Sequence, residues 1–220
     1  MKPLVIFGAG DAAEVACFYL THDAKRKVAA FTVDEAFMQS DAFAGLPVTP
    51  FEQVAERYPA DDFDMFVAVG YAKVNAFRAQ KVDEVRAKGY TLASYVSSRA
   101  TVWPGLEVRE NCFILEDNTI QPFVRIGSNV TLWSGNHIGH HANIADNCFI
   151  TSHVVVSGGV SIGEGTFVGV NATLRDRIRI GKQCVIGAGS LLVKDAADFS
   201  VYSAPAAELS KVPSNRLRGI

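Results

Sequence analysis

Four of the chain's five histidines, His137, His140, His141 and His153, fall within the stretch SGNHIGHHANIADNCFITSH, residues 134–153. An imidazole can hold a metal, move a proton near neutral pH, or sit solvated on a surface. Metal binding asks for several ligands converging on one point. Acyl transfer asks for one ring nitrogen facing the reacting group, with donors nearby for the developing oxyanion. Which task the cluster serves depends on the backbone beneath it.

That backbone has a period of six. From Val102 to Leu192 every sixth residue is Val, Ile or Leu, sixteen positions in succession. Gly follows the aliphatic at 127, 139, 163, 169, 181 and 187. Four residues after the aliphatic the side chain is mostly small, as at Cys112, Ala142, Cys148, Ala172 and Cys184. Such a repeat predicts a parallel β-helix, each unit giving one short strand and one turn with the aliphatic inside. Three units make a triangular coil, so residues eighteen apart stack about 4.8 Å from each other. The uninterrupted run predicts five complete coils. Cys112, Cys148 and Cys184 then share one interior column as small core residues.

Stacking names the neighbours of each histidine. One column reads Pro122, His140, Gly158, Asp176, and the next Phe123, His141, Gly159, Arg177. Two glycines therefore lie against two histidines, which predicts an outer notch holding an imidazole and free backbone N–H groups. That is the equipment acyl transfer needs.

Residues 1–97 follow a different rule. LVIFG, VAAFTV and MFVAVG read as strands, DAAEVACFYL and VNAFRAQKVDEVRAK as helices, so a small α/β domain with a parallel sheet is expected. GAGDAA fits a phosphate-binding fingerprint at Gly8, Gly10 and Ala13, and Asp34 lies where an acidic ribose partner belongs. Alone, the motif suggests an NAD-dependent oxidoreductase. About half of a dinucleotide fold precedes the coil, however, so the nucleotide end of an activated sugar suits the space better. Gly8, Gly10, Asp11, Asp34 and Gly70 are the candidate contacts. An anionic Asp11 near a pyrophosphate is unfavourable unless it caps the helix.

Composition narrows the partners. Apolar residues make up 49% and charged residues 20%, and the net charge is -2, so neither nucleic acid nor an acidic membrane surface is expected. No apolar run reaches membrane-span length and MKPLVIFGAG lacks the regions of a signal peptide, so a cytoplasmic location is expected. The basic tail, Lys211, Arg216 and Arg218, reads as a solvated end.

Together these pieces resemble the hexapeptide-repeat sugar acyltransferases, specifically the sialic-acid O-acetyltransferase and bacterial nucleotide-amino-sugar N-acetyltransferase family. The opening VIFGAGDAAEVA is similar to that family's Gly-Ala-Gly-Gly loop, and IGAGSLLVKD with VYSAPAAEL to its closing coil and tail. The resemblance implies an α/β domain (1–97), a left-handed parallel β-helix (98–194), a tail (195–220) and a homotrimer. It implies acetyl transfer from acetyl-CoA to an amino group, or failing that a hydroxyl, of a nucleotide-linked sugar for surface-glycan biosynthesis, without a metal. It places the general base in IGHHAN, on His140, and acetyl-CoA along Gly158, Gly159, Val170, Ala188 and Lys194. Asn136, His137 and His153 become candidate substrate contacts. The family often follows its base with an acidic residue; here that place is His141, so either another group orients His140 or His141 shares the work. Two other classes use the same coil. One is a non-enzymatic scaffold. The other is a zinc protein like the γ-class carbonic anhydrases, whose ligand spacing differs from 137, 140, 141, 153.

Overall fold

The computed structural model describes residues 1–216, so Arg218 lies outside the described residues. In the N-terminal domain, strands β1 (Leu4–Phe7), β2 (Val28–Val33), β3 (Ala42–Phe43), β4 (Leu46–Pro50) and β5 (Asp64–Val67) form one sheet in the order β3-β4-β2-β1-β5. All pairings are parallel except the β3–β4 hairpin, which the sequence reading missed. β1 lies between β2 and β5 and is apolar on both faces, and its alternation divides the domain. Leu4 and Ile6 pack with Ala13, Ala16 and Leu20 of helix α1 (Asp11–His22). Val5 and Phe7 pack with Val82 and Val85 of a later helix, α2 (Ala76–Ala87).

The coil is a stack of two-residue strands in three parallel sheets with aliphatics in register, Ile138 on Val156 and on Ile120. Its interior holds the sixth-position aliphatics together with Cys112, Cys148 and Cys184, all three fully buried. Burial pushes the Cys112 thiol up to about 11 and the Cys148 thiol up to about 12, which removes both as nucleophiles at neutral pH. One expectation fails at the first coil. Arg125–Ile126 begins its sheet with no partner strand at 107–108, and Gly105 to Arg109 stand off from it across a groove of about 920 Å³. An end coil gains ladder bonds from one side only, and no domain covers this wall as the N-terminal domain covers the next.

The three outer faces differ in kind. The sheet through Phe113, Thr131, Phe149 and Phe167 is covered by the N-terminal domain, with Tyr71 edge-on to Phe149 and tilted against Phe167. The sheet through Arg125, Asn143, Ser161 and Arg179 is polar. The third carries His137, Val155, Thr173 and Leu191, with Val155 and Leu191 exposed.

Buried polar clamps lock the two domains. Asn111 takes the N–H of Val67 at 2.8 Å and returns a bond to its carbonyl, fixing the end of β5 against the coil. Arg78 on α2 is buried and donates to Thr131 and to the carbonyls of Asn147 and Cys148. Burial lowers its pKa to about 10, and no carboxylate pairs with it among the described residues. Arg78→Ala would leave those acceptors dry. It is expected to cost about 3 kcal/mol, read as a lower urea midpoint.

Candidate active site

His140 and His141 form one turn of the coil, and Gly158 and Gly159 form the turn stacked beneath it. The His140 ring lies flat against Gly158, where an added Cβ would stand 2.7 Å from both Cε1 and Nε2. Glycine at 158 is thus the condition for the ring's position. The His140 N–H donates to Gln121 Oε1 at 2.8 Å, which pins the turn from the preceding coil. On the other side, His140 Nδ1 meets His141 Nδ1 at 3.1 Å, and the His141 ring packs, tilted, against Phe123 at 4.7 Å. Both imidazoles are exposed.

The expected supply of free donors is halved. The Gly159 N–H is spent on the His140 carbonyl at 2.8 Å, and only the Gly158 N–H has no partner among the described residues. His140 Nε2, beside Gly158, and the Gly158 N–H are thus one ring nitrogen and one amide left without a partner among the described residues. A base and a single oxyanion donor at that spacing can serve attack on a carbonyl carbon.

The remaining candidates divide among three places. Asn136 is a correction: it is buried, its side-chain oxygen accepts the Val154 N–H and its amide donates to the Trp133 carbonyl. It stands four residues after Leu132, the inward position of the repeat, so the rule of six itself assigns it to the core. His137 projects from the third face. His153 lies at a different edge of the prism from His140, its ring against Gly135, where a Cβ would be 2.6 Å from Nδ1. Val170 and Ala188 share that second edge, both exposed, their N–H groups unpartnered among the described residues. Lys194, also exposed, continues the His140, Gly158, Asp176 column on the first edge.

The third place is the N-terminal loop. Gly8 has φ +128° and an added Cβ would meet the Ala68 carbonyl oxygen at 2.6 Å, so only glycine fits there. Gly10 and Gly70 face open space. Gly8 and Asp34 line a cavity of about 480 Å³ walled by Phe7, Phe37 and Phe77, deep enough for an aromatic base and a sugar ring. Asp34 is less free than expected, because Lys81 Nζ holds its Oδ1 at 2.7 Å and also reaches Glu84. Burial works against the charge of Lys81, yet those two carboxylates hold its pKa above the ordinary value. Asp11 also stands at this loop. It is the first residue of α1, after Gly10 at the cap position, and its carboxylate has no hydrogen-bond partner among the described residues. A narrower cleft of about 220 Å³ runs along the domain seam past Asp11, Gly70, Tyr71, Trp133 and Phe149. Trp133 forms part of its wall. Among the described residues no group of three or more His, Cys, Asp or Glu is gathered as a metal site.

The family described as Bacterial transferase hexapeptide (six repeats) matches residues 123–158 and 159–194 of the coil. Over nearly its full length the chain is similar in structure to sugar acetyltransferases, as the sequence resemblance implied. PerB from Caulobacter crescentus, solved in complex with CoA and GDP-perosamine, is 25% identical, with 91% of this chain and 93% of that chain aligned at a TM-score of 0.82. The acetyltransferase domain of PglB from Neisseria gonorrhoeae is 23% identical, with 91% and 96% covered and a TM-score of 0.80. WeeI from Acinetobacter baumannii is 16% identical, with 91% and 96% covered and a TM-score of 0.77. No curated protein matches the chain in sequence. The fold is an α/β domain followed by a left-handed parallel β-helix.

Proposed function

We propose that the protein is an acetyl-CoA-dependent acetyltransferase acting on an amino group of a nucleotide-linked sugar. The observation that carries this reading is the His140 imidazole seated on Gly158, with its Nε2 and the Gly158 N–H both unpartnered among the described residues. The amine nitrogen attacks the thioester carbon, its proton passes to His140 Nε2, and the Gly158 N–H steadies the oxyanion. The C–N bond forms, the C–S bond breaks, and the thiolate leaves with its electron pair. A thiol of pKa about 8.5 is a good enough leaving group to need little acid assistance, and the imidazolium can return its proton to it.

The perosamine N-acetyltransferase structures with CoA and GDP-perosamine support both the donor and a nucleotide amino-sugar as acceptor. The cavity at Gly8 and Asp34 takes the nucleotide in this reading, and the seam cleft leads from it toward the coil. Val170 and Ala188 lie on one edge of the prism and His140, Gly158 and Lys194 on another, so a groove serving both sets joins edges of two copies. The flat third face, with Val155 and Leu191 exposed, suits packing around a three-fold axis, and we assign the protein a homotrimer on that ground. No helix among the described residues is long and apolar enough to cross a membrane. Acetyl-CoA as donor places the reaction in the cytoplasm, as a step toward a surface glycan.

The test is thiol release from acetyl-CoA across a panel of nucleotide-linked sugars carrying amino or hydroxyl acceptors. Turnover with an amino-sugar and none with its hydroxyl counterpart is expected. No thiol release with any acceptor would overturn the proposal.

A further inference from the structure

We infer that His141 is a positioning residue that selects the tautomer of His140, in a neutral imidazole pair. The inference rests on His140 being the base. Two imidazole nitrogens at 3.1 Å can share a contact only when one carries the proton and the other a lone pair. The contact joins Nδ1 to Nδ1, and the other nitrogen of His140, Nε2, lies over Gly158 at the notch. For Nε2 to accept the substrate's proton it must begin bare, so Nδ1 must be the protonated nitrogen. Its N–H then points at His141 Nδ1, which serves as acceptor while His141 holds its own proton on Nε2. The opposite arrangement, with His141 donating, would leave a proton on His140 Nε2 and block the base.

The surroundings hold His141 for this task. Its backbone sits at φ +59°, which fixes where Cβ points, and its ring packs, tilted, against Phe123. Among the described residues no carboxylate bonds to either ring, and His140 Nδ1 bonds to no side chain but His141. The pair therefore orients the base without adding a negative charge beside it, and the imidazolium formed during attack donates the same Nδ1–H bond.

The left-handed slot that His141 occupies is filled by asparagine at 111, 129, 147 and 171. This gives two substitutions that keep the backbone. His141→Gly removes the acceptor and tolerates positive φ; His141→Asn keeps an acceptor, because its Oδ1 branches from Cγ as Nδ1 does. Long-range 1H–15N spectra of the neutral rings in the full-length protein should show His140 protonated at Nδ1 and bare at Nε2. His141→Gly should shift His140 toward the Nε2–H tautomer and lower kcat about ten- to a hundredfold with little change in KM. His141→Asn should restore the tautomer and most of kcat. A wild-type His140 protonated at Nε2, or unchanged kcat in His141→Gly, overturns the inference while leaving an inactive His140→Ala, and so the base, intact. An active His140→Ala would overturn both.

Discussion

Replacing His140 by alanine is expected to lower kcat for acetyl transfer about a thousandfold, with KM for both substrates within about threefold of the wild-type value. The asymmetry follows from where the ring sits. His140 is exposed and, among the described residues, its side chain bonds only to His141, so removing it costs the fold little. The cavity proposed for the nucleotide lies in the other domain, around Gly8 and Asp34, and does not include His140. What is lost is the acceptor for the amine's proton in the transition state, and that loss appears in kcat. Steady-state thiol release by both proteins, with circular dichroism to compare their folds, checks it. A uniform rise in KM with kcat unchanged would instead make His140 a substrate anchor.

The second large effect is expected from one methyl group. Gly158→Ala puts a Cβ 2.7 Å from Cε1 and Nε2 of His140, well inside contact distance, so the ring must leave its seat. Gly158 is not among the residues with positive φ, so alanine is compatible with the backbone there. A fall in kcat of about a hundredfold is expected with less than about 1 kcal/mol lost in stability, because the ring can swing into solvent. Gly159→Ala is the contrast. Its φ of +71° strains any side chain, but the nearest atom to its Cβ is Arg177 Cγ at 3.3 Å, away from the base. That variant should lose stability and keep more of its turnover. Reversed behaviour of the two glycines would mean that His140 works from another position.

These two glycines also show how far the sequence could be read. A strict period of six admits one stacking, so the notch follows from counting eighteen from His140 to Gly158. The interior cysteines follow in the same way. Asn136 follows too, once its place in the inward column with Val154 and Ala172 is counted; residue type had suggested a ligand where position said core. Other features are beyond counting. The Lys81–Asp34 pair joins residues forty-seven apart through the order of the sheet and the placing of α2, which no local pattern specifies. The Gly159 N–H looks free in a list of residues and is spent in space, because the turn above it presents the His140 carbonyl. The unpaired wall at 107–108 keeps the aliphatic rhythm at Val108 yet forms no rung, since rhythm records which side chains face inward and not whether a neighbouring strand lies close enough to bond.

The most direct test is a crystal structure of the protein with CoA bound. The sulfur should lie within one hydrogen-bonded or water-bridged step of His140 Nε2, about 3 to 5 Å, on the side of the Gly158 N–H. Pantetheine density elsewhere, with His140 Nε2 facing only solvent, would contradict the assignment of the histidine–glycine notch as the place of transfer.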